Sequence, residues 1–500
     1  MAFAEIPLNS TLLKNVEEEA TTQDITRLFN GYLDELGYVN RRPGLETAVI
    51  DITGATLGSA TTGAFQVNGN YFWKKNGYGF IVCNGNLYKV SNVVSGSGYD
   101  VILTLITSSF TLSKSERIYW ASDGTRVYLA DGTDIYYTNG TTLTRLFDTD
   151  ADCPRNVKQI AWLDGYIIAI KGTENKFYYS DVNNGLSWSA VDFASGTGSP
   201  DNIIALRIKA RDIYLFGPDS IEIWRNDGVN PFTRVGGGFF NTGCLTPDAI
   251  QAVDDGFYWF DGRRRLISLT GSGIEKVSLP IDKELSGFDS FECRSELLEI
   301  EGKSFLIFRF LTQDRTLVLE RTLGSWSEWT CHLGDGAYIG YLASEIVYYE
   351  SWNLFIAGHN EINALFKINP TNIVNTDSVP TIGVQEINTL TRTGHLDFGV
   401  PGKKISRRMT MRLKRGAIGN GTEAGGDTEP YLVMRYKQDN KEWGNEVQVG
   451  LGLQGNTEII KELWIRGHFR TRQYEFYVTD NTKVLYGAIT QYFDVLDADR

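Results

Sequence analysis

Gly450, Gly452 and Gly455 stand in GLGLQG, the spacing with which a strand-to-helix turn receives a pyrophosphate. The flanks oppose that chemistry. The alternating run EVQV precedes the glycines and NTEIIKELW follows, with no strand–helix–strand unit around them, so a turn within a β-domain is the reading. His332, His359, His395 and His468 are scattered without a pair at ligand spacing, and Cys83, Cys153, Cys244, Cys293 and Cys331 form no CxxC. Neither a metal centre nor a histidine-centred catalytic site is expected, and no cofactor. Two basic runs remain. Arg263, Arg264 and Arg265 fall in a turn and read as a solvated loop. PGKKISRRMTMRLKR, 401–415, carries seven basic side chains and no acid, in a chain of net charge -13. Ile405, Met409, Met411 and Leu413 fit one face of a strand, with Arg408, Arg412 and Lys414 on the other. A solvated sheet face is one outcome. The other is an interface to an acidic neighbouring subunit through Lys403, Lys404, Arg407, Arg408, Arg412, Lys414 and Arg415, with a phosphate contact as a third possibility.

The elements that must hold these residues repeat. In 201–250 the runs IIALRI, IYLF and IEIW are separated by the turns KARD and GPDS, which gives three strands and two tight turns. Middle strands of the same kind recur at Phe80, Tyr128, Ile167, Tyr214, Tyr258, Leu306 and Phe355, about 46 residues apart on average, which is the period of a four-stranded propeller blade. The turns around them are rich in Asn, Asp and Gly, as hairpins with positive φ require. YYSDVNNGLSW, 178–188, is reminiscent of the Asp-box turn of sialidase-type propellers. A sialidase needs three arginines on a carboxylate, a tyrosine nucleophile and an acid. Arg and Tyr are abundant here, but no local constellation assembles them, so the chain is read as not an enzyme.

Composition agrees with a turn-rich β-protein: 52 Gly and 25 Tyr, with only 4 Met. Sixty-one acidic residues against 48 basic ones argue against coating nucleic acid as the main task. No apolar run approaches the length of a membrane span, and the first residues lack the pattern of a signal peptide, so no direct membrane insertion is expected.

Three stretches carry a family resemblance. The first is DITRLFNGYLDELGYVNRRPGL, 24–45, with Arg27 and Asn30 and then Arg41, Arg42, Pro43 and Gly44. The second is FGPDSIEIWRNDG, containing Ser220, Glu222 and Trp224, followed by GCLTPDAI, which opens on Gly243 and Cys244. The third is 434–488, with a turn ending at Trp443 where the family usually has Asp-Gly-Gly before the tryptophan and this chain has Gln438-Asp439-Asn440-Lys441. Together they resemble the tail-hub or tail-nozzle proteins of short-tailed bacteriophages, the packaged-DNA stabilisation family.

The expectation is therefore an all-β chain: an N-terminal attachment arm (1–60), a six- or seven-bladed β-propeller (61–375) and a C-terminal β-domain (376–500), with 416–430 as a hairpin tip. The resemblance implies a structural protein of the virion tail, assembled in the host bacterial cytoplasm. It implies a ring, expected to be a hexamer, docked below the head-to-tail adaptor and portal. Tail fibres or tailspikes, and a plug or needle, would bind it, and double-stranded DNA would be retained by it and pass through its channel. An acidic or neutral channel wall is expected, with 403–415 turned toward subunit interfaces. The alternative is a carbohydrate-binding or sialidase-like carbohydrate-acting propeller, which would gather aromatics and carboxylates at one propeller mouth.

Overall fold

The computed structural model describes residues 2–6, 8, 25–48, 50–53, 66–92, 100–196, 198–228, 231–271, 273–333, 337–359, 362, 364–379, 382–415, 430–439, 441–451, 458–480 and 484–496. Residues 416–429 of the expected hairpin tip (416–430), and Gly452 and Gly455 of the GLGLQG run, lie outside them.

The chain is all-β. Six propeller blades are each built from four consecutive antiparallel strands, spanning 67–106, 119–145, 159–195, 205–240, 251–276 and 293–328. A seventh four-stranded unit takes three strands from 344–368 and its outer strand, Glu46–Thr47, from the N-terminal segment. The hairpins turn where positive φ was expected, for example at Asn84-Gly85, Asp164-Gly165 and Glu301-Gly302. The Gly-rich stretch after IEIW is part of a blade. It is the outer strand Thr233–Phe240 of the fourth blade, bent by a register shift between Glu222 and Trp224.

Blades pack through apolar seams. Between the third and fourth, Ile168, Ile170 and Phe177 meet Leu206, Ile213, Leu215 and Trp224. Trp224 is buried there, edge-on to Phe177 at 5.4 Å between ring centroids.

The segment expected as an arm is woven through the rest of the molecule. Ile25–Phe29 lies in one nine-stranded sheet, between the last strand of the sixth blade and Thr389–Thr393. Gly31–Leu33 and Val39–Arg41 join the facing sheet, whose centre is the long pair Lys404–Arg415 and Val484–Val495. Leu28, Met409, Met411, Leu413, Met434, Phe476 and Ile489 fill the space between the two sheets.

The 401–415 run departs from simple alternation. A register shift between Ser406 and Arg408 inverts the parity, so Lys404 and Ser406 are buried before it and Met409, Met411 and Leu413 after it, while Ile405 is only half-buried.

Candidate functional site: a polar interdomain clamp and a closed propeller axis

The N-terminal signature converges on the joint between propeller and sandwich. Asn30 sits at φ 51, a left-handed conformation that Asn tolerates better than most residues. Its side-chain amide donates to Thr330 Oγ1 (3.0 Å) and to the Asn388 carbonyl (3.0 Å), and its Oδ1 accepts from the Thr330 N–H (2.7 Å) and Arg42 Nε (3.0 Å). Arg42 is fully buried. Its guanidinium forks onto Asp377, with Nη1 to Oδ1 at 3.0 Å and Nη2 to Oδ2 at 2.5 Å, donates also to the Thr330 carbonyl (2.7 Å), and faces the Tyr341 ring at 4.9 Å. Burial alone would lower its pKa, but Asp377 reverses this and holds it above the ordinary arginine value. Asp377 Oδ1 also accepts from the Leu45 N–H (3.1 Å).

Arg41 points the other way, to Thr389 Oγ1 (3.1 Å) and to the Asp480 (2.7 Å) and Val478 (3.0 Å) carbonyls. Burial is the leading cause that pushes its pKa down, to about 10, which leaves it charged at neutral pH. Gly44 is required by proximity: a Cβ there would lie 2.2 Å from the Thr376 carbonyl oxygen. Pro43 contributes its carbonyl, which accepts from Arg42 Nη1 (2.9 Å). Arg27 lies half-buried with its guanidinium 5.6 Å from the Phe29 ring, and burial lowers its pKa.

The second signature builds one corner of the fourth blade. Asp201 accepts from the Asp219 and Ser220 N–H groups (3.1 Å each) and from Ser220 Oγ (2.9 Å), which fixes the GPDS turn. Glu222 accepts from the Gly198 N–H (2.5 Å) and from Trp224 Nε1 (3.0 Å), which sets the indole in its seam. A Cβ at Gly243 would meet the Pro218 carbonyl oxygen at 2.0 Å, and the Cys244 N–H donates to the Gly217 carbonyl (2.9 Å). All five cysteines are buried and reduced, and burial pushes the Cys244 thiol up to about 12. The third signature centres on Glu475, which is fully buried and bonded to Arg392 and Arg435 Nε atoms at 2.6 Å each. Trp443 faces both guanidiniums, at 5.3 and 5.0 Å.

Part of the basic run is engaged within the chain. Lys404 is fully buried, with its ammonium donating to the Val400 and Gly402 carbonyls, so it corrects the expectation of an interface residue: the strand bulge turns it inward. Arg407 pairs with Asp494 (2.7 Å) and Arg408 with Glu462 (2.9 Å), the latter also over the Tyr492 ring. Lys403 and Arg412 are exposed. The side chains of Lys414 and Arg415 lie outside the described residues.

Sequence reasoning missed the propeller axis. A cavity of about 420 Å³ is lined by the inner strands of all seven blades, including Asn70, Tyr71, Trp120, Trp162, Arg207, Gln251, Glu296 and Glu345. A second cavity, of about 270 Å³, lies beyond it around Lys158, Lys171 and Asp248, and Arg117 and Tyr119 line both. Arg117 donates to Glu296 Oε1 (3.2 Å), to Glu345 Oε2 (3.3 Å) and to the Asp248 carbonyl (2.9 Å), and the Tyr119 hydroxyl donates to Asp248 Oδ1 (2.6 Å). Glu296 accepts in turn from the Glu345 and Ile346 N–H groups (3.0 and 3.2 Å). Glu345 reaches this layer from a strand bulge, at φ 50, and burial raises its carboxyl toward about 7 against the pull of Arg117. The only sequence sign was that Arg117, Glu296 and Glu345 are charges beside inner-strand runs; nothing linked them across 228 residues of separation.

A family model described as "Bacteriophage P22 Gp10, beta-propeller" matches residues 33–371. The chain belongs to that family. Its members are packaged-DNA stabilisation proteins of phage, and the match spans the propeller and the Arg41–Gly44 clamp. No curated protein matches. Among solved structures, PorZ of Porphyromonas gingivalis is similar at 9% identity and a TM-score of 0.37, over 81% of this chain and 46% of that one. The chain thus spans less than half the length of PorZ. YCF48 from Cyanidioschyzon merolae is similar at 10% identity and TM-score 0.37 (62% and 97% covered), and an exo-beta-1,3-galactanase from Phanerochaete chrysosporium at 9% and 0.26 (90% and 100%). These likenesses carry no functional argument. The Gp10-like propeller is a phage structural protein, and none of its described helices is long and apolar enough to cross a membrane.

Proposed function

We propose that this chain is a subunit of the tail hub, or nozzle, of a short-tailed phage virion. Six copies form a ring below the portal and its head-to-tail adaptor, carry tail fibres or tailspikes and a plug or needle, retain packaged DNA and form the channel for its ejection. The subunit is made in the host bacterial cytoplasm, and its work is binding and gating, without bond chemistry.

Family membership supports the class, and one geometric observation supports the channel. The propeller's own axis is crossed by the Arg117–Glu296–Glu345 layer, and the spaces on either side of it hold about 420 and 270 Å³, room for a small molecule and not for a duplex. A conduit for DNA therefore lies between copies. Arg407 and Arg408 already hold acidic partners and each copy carries a net charge of -13, which favours an acidic or neutral wall along which phosphates slide. Imaging of particles by electron microscopy tests the reading: a six-fold ring around an open channel is expected, and mature particles in which the protein is monomeric overturn it.

One observation favours the second reading, a carbohydrate-binding propeller. The axial cavity gathers Tyr71, Trp120 and Trp162 with Glu296 and Glu345. Its arginines, however, are engaged by the chain's own acceptors, Arg207 with Gln159 Oε1 (2.9 Å) and the Pro247 carbonyl (3.1 Å). Titration of the purified chain with neutral and acidic oligosaccharides separates the two readings.

A further inference from the structure

The sheet centred on Lys404–Arg415 and Val484–Val495 ends in two open edges. At one end, Glu458–Leu463 pairs with Lys404–Arg415; at the other, Ala2–Ile6 pairs with Val484–Val495. Among the described residues neither strand is paired with a further β-strand on its outer side. Unpaired edges are templates for another strand. Both also present large apolar side chains to solvent: Phe3 is 69% exposed on one, and Ile460 (63%) and Trp464 (69%) lie on or beside the other. Exposed apolar side chains thus occur at both free edges of one sheet.

The edges fit each other. They are five and six residues long, and every pair in this sheet is antiparallel. Tracing the alternation across the sheet, Glu458–Leu463 and Ala2–Ile6 run in opposite senses, so adding one to the other in a neighbouring copy continues the antiparallel pattern. Phe3 stands opposite Tyr492, and Ile460 opposite Arg412, on the face away from the sandwich core, so the apolar groups meet on one side of the extended sheet. Because the two edges differ, the contact is head-to-tail and repeats from copy to copy, closing into a ring when the rotation allows. Lys461 and Glu462 within the edge restrain indiscriminate pairing before assembly.

We propose that copies of this chain join through these two edges, the Glu458–Leu463 strand of one adding to the Ala2–Ile6 strand of the next. This rests on the ring reading above. The test introduces Phe3→Cys together with Trp464→Cys in the full chain within assembled particles, and adds a short bis-maleimide; the five native cysteines are buried. A ladder of cross-linked copies is expected, with none from either single variant. Trp464→Glu and Phe3→Glu should each cut ring recovery roughly tenfold while leaving the subunit's Tm within about 2 °C. Rings that persist in both Glu variants without any ladder overturn the edge contact and leave the ring reading standing. Wild-type particles without rings overturn both. Cross-linking of position 3 or 464 to a different protein overturns the proposal in favour of a foreign strand.

Discussion

The seam between the third and fourth blades and the joint between propeller and sandwich bury comparable side chains by opposite means. In the seam, Phe177, Ile168, Leu215 and Trp224 pack as apolar surface, and the indole is anchored within its own blade by Glu222. In the joint, Arg41, Arg42, Asn30 and Asp377 are buried as polar groups, with carbonyls and hydroxyls arranged around them. Apolar burial is non-directional and tolerates repacking, whereas a buried guanidinium is acceptable in essentially one geometry. A repeated seam can therefore vary from blade to blade, while the single joint that orients the sandwich on the propeller is specified atom by atom.

The contrast can be broken most severely at the joint. Arg42→Ala strands the buried Asp377 carboxylate and leaves Asn30 Oδ1 and the Thr330 carbonyl short of a donor. It should cost about 5 kcal/mol in denaturant unfolding, and Arg42→Lys should recover little because it lacks the fork. A loss under about 1 kcal/mol would mean the joint is not specified this way. In the seam, Trp224→Ala should cost about 3 kcal/mol through the cavity it leaves, and Trp224→Phe distinctly less; a melting point within a degree or two of wild type would place the indole outside the seam. The axis offers a test by pH. Glu345, faced by Arg117, Arg294, Glu296, Asp248 and Tyr119, has its folded pKa raised from 4.5 toward about 7. Between those values the native state keeps a proton that the unfolded chain has released, so stability falls as pH rises through that window. Glu345→Gln should flatten the slope by on the order of 1 kcal/mol, read from unfolding at pH 5 and pH 8. The smallest effect is expected at Trp443→Ala, about 0.5–1 kcal/mol from the lost cation–π contacts with Arg392 and Arg435, with Glu475 still holding both.

The blades were legible because each one is local: a hairpin closes over a few residues and its turn chemistry recurs. The seventh blade illustrates the limit. Its middle strand at Phe355 was readable, but its outer strand is the two residues Glu46–Thr47, too short for any periodicity and more than 300 residues away in sequence. Arg27, Asn30, Arg41 and Arg42 stood out only through a family pattern, because their partners Asp377, Thr389 and Thr330 are brought near by topology alone. Lys404 was assigned to the surface since strict alternation cannot foresee a bulge. The axial glutamates carried no spacing signal, for the strand edges that converge on the axis come from seven separate places in the chain.

The completion of the last blade by Glu46–Thr47 also bears on synthesis. These residues pair with Phe366 and Lys367, Ile25–Phe29 with the strand at Thr389–Thr393, and Asn40 with Leu485. At about 10 residues per second on the ribosome, the N-terminal strands wait roughly half a minute before any of these partners emerges. During that time six blades can form in order, but the circle stays open and Ile25–Phe29 and Glu46–Thr47 lack these partners, a substrate for chaperones and proteases. A chain terminated before residue 366 never closes, and one terminated before 484 closes without a complete sandwich. If copies join through the Ala2–Ile6 and Glu458–Leu463 edges, a chain that stops before Val484 lacks the strand on which Ala2–Ile6 is laid and is left out of the ring.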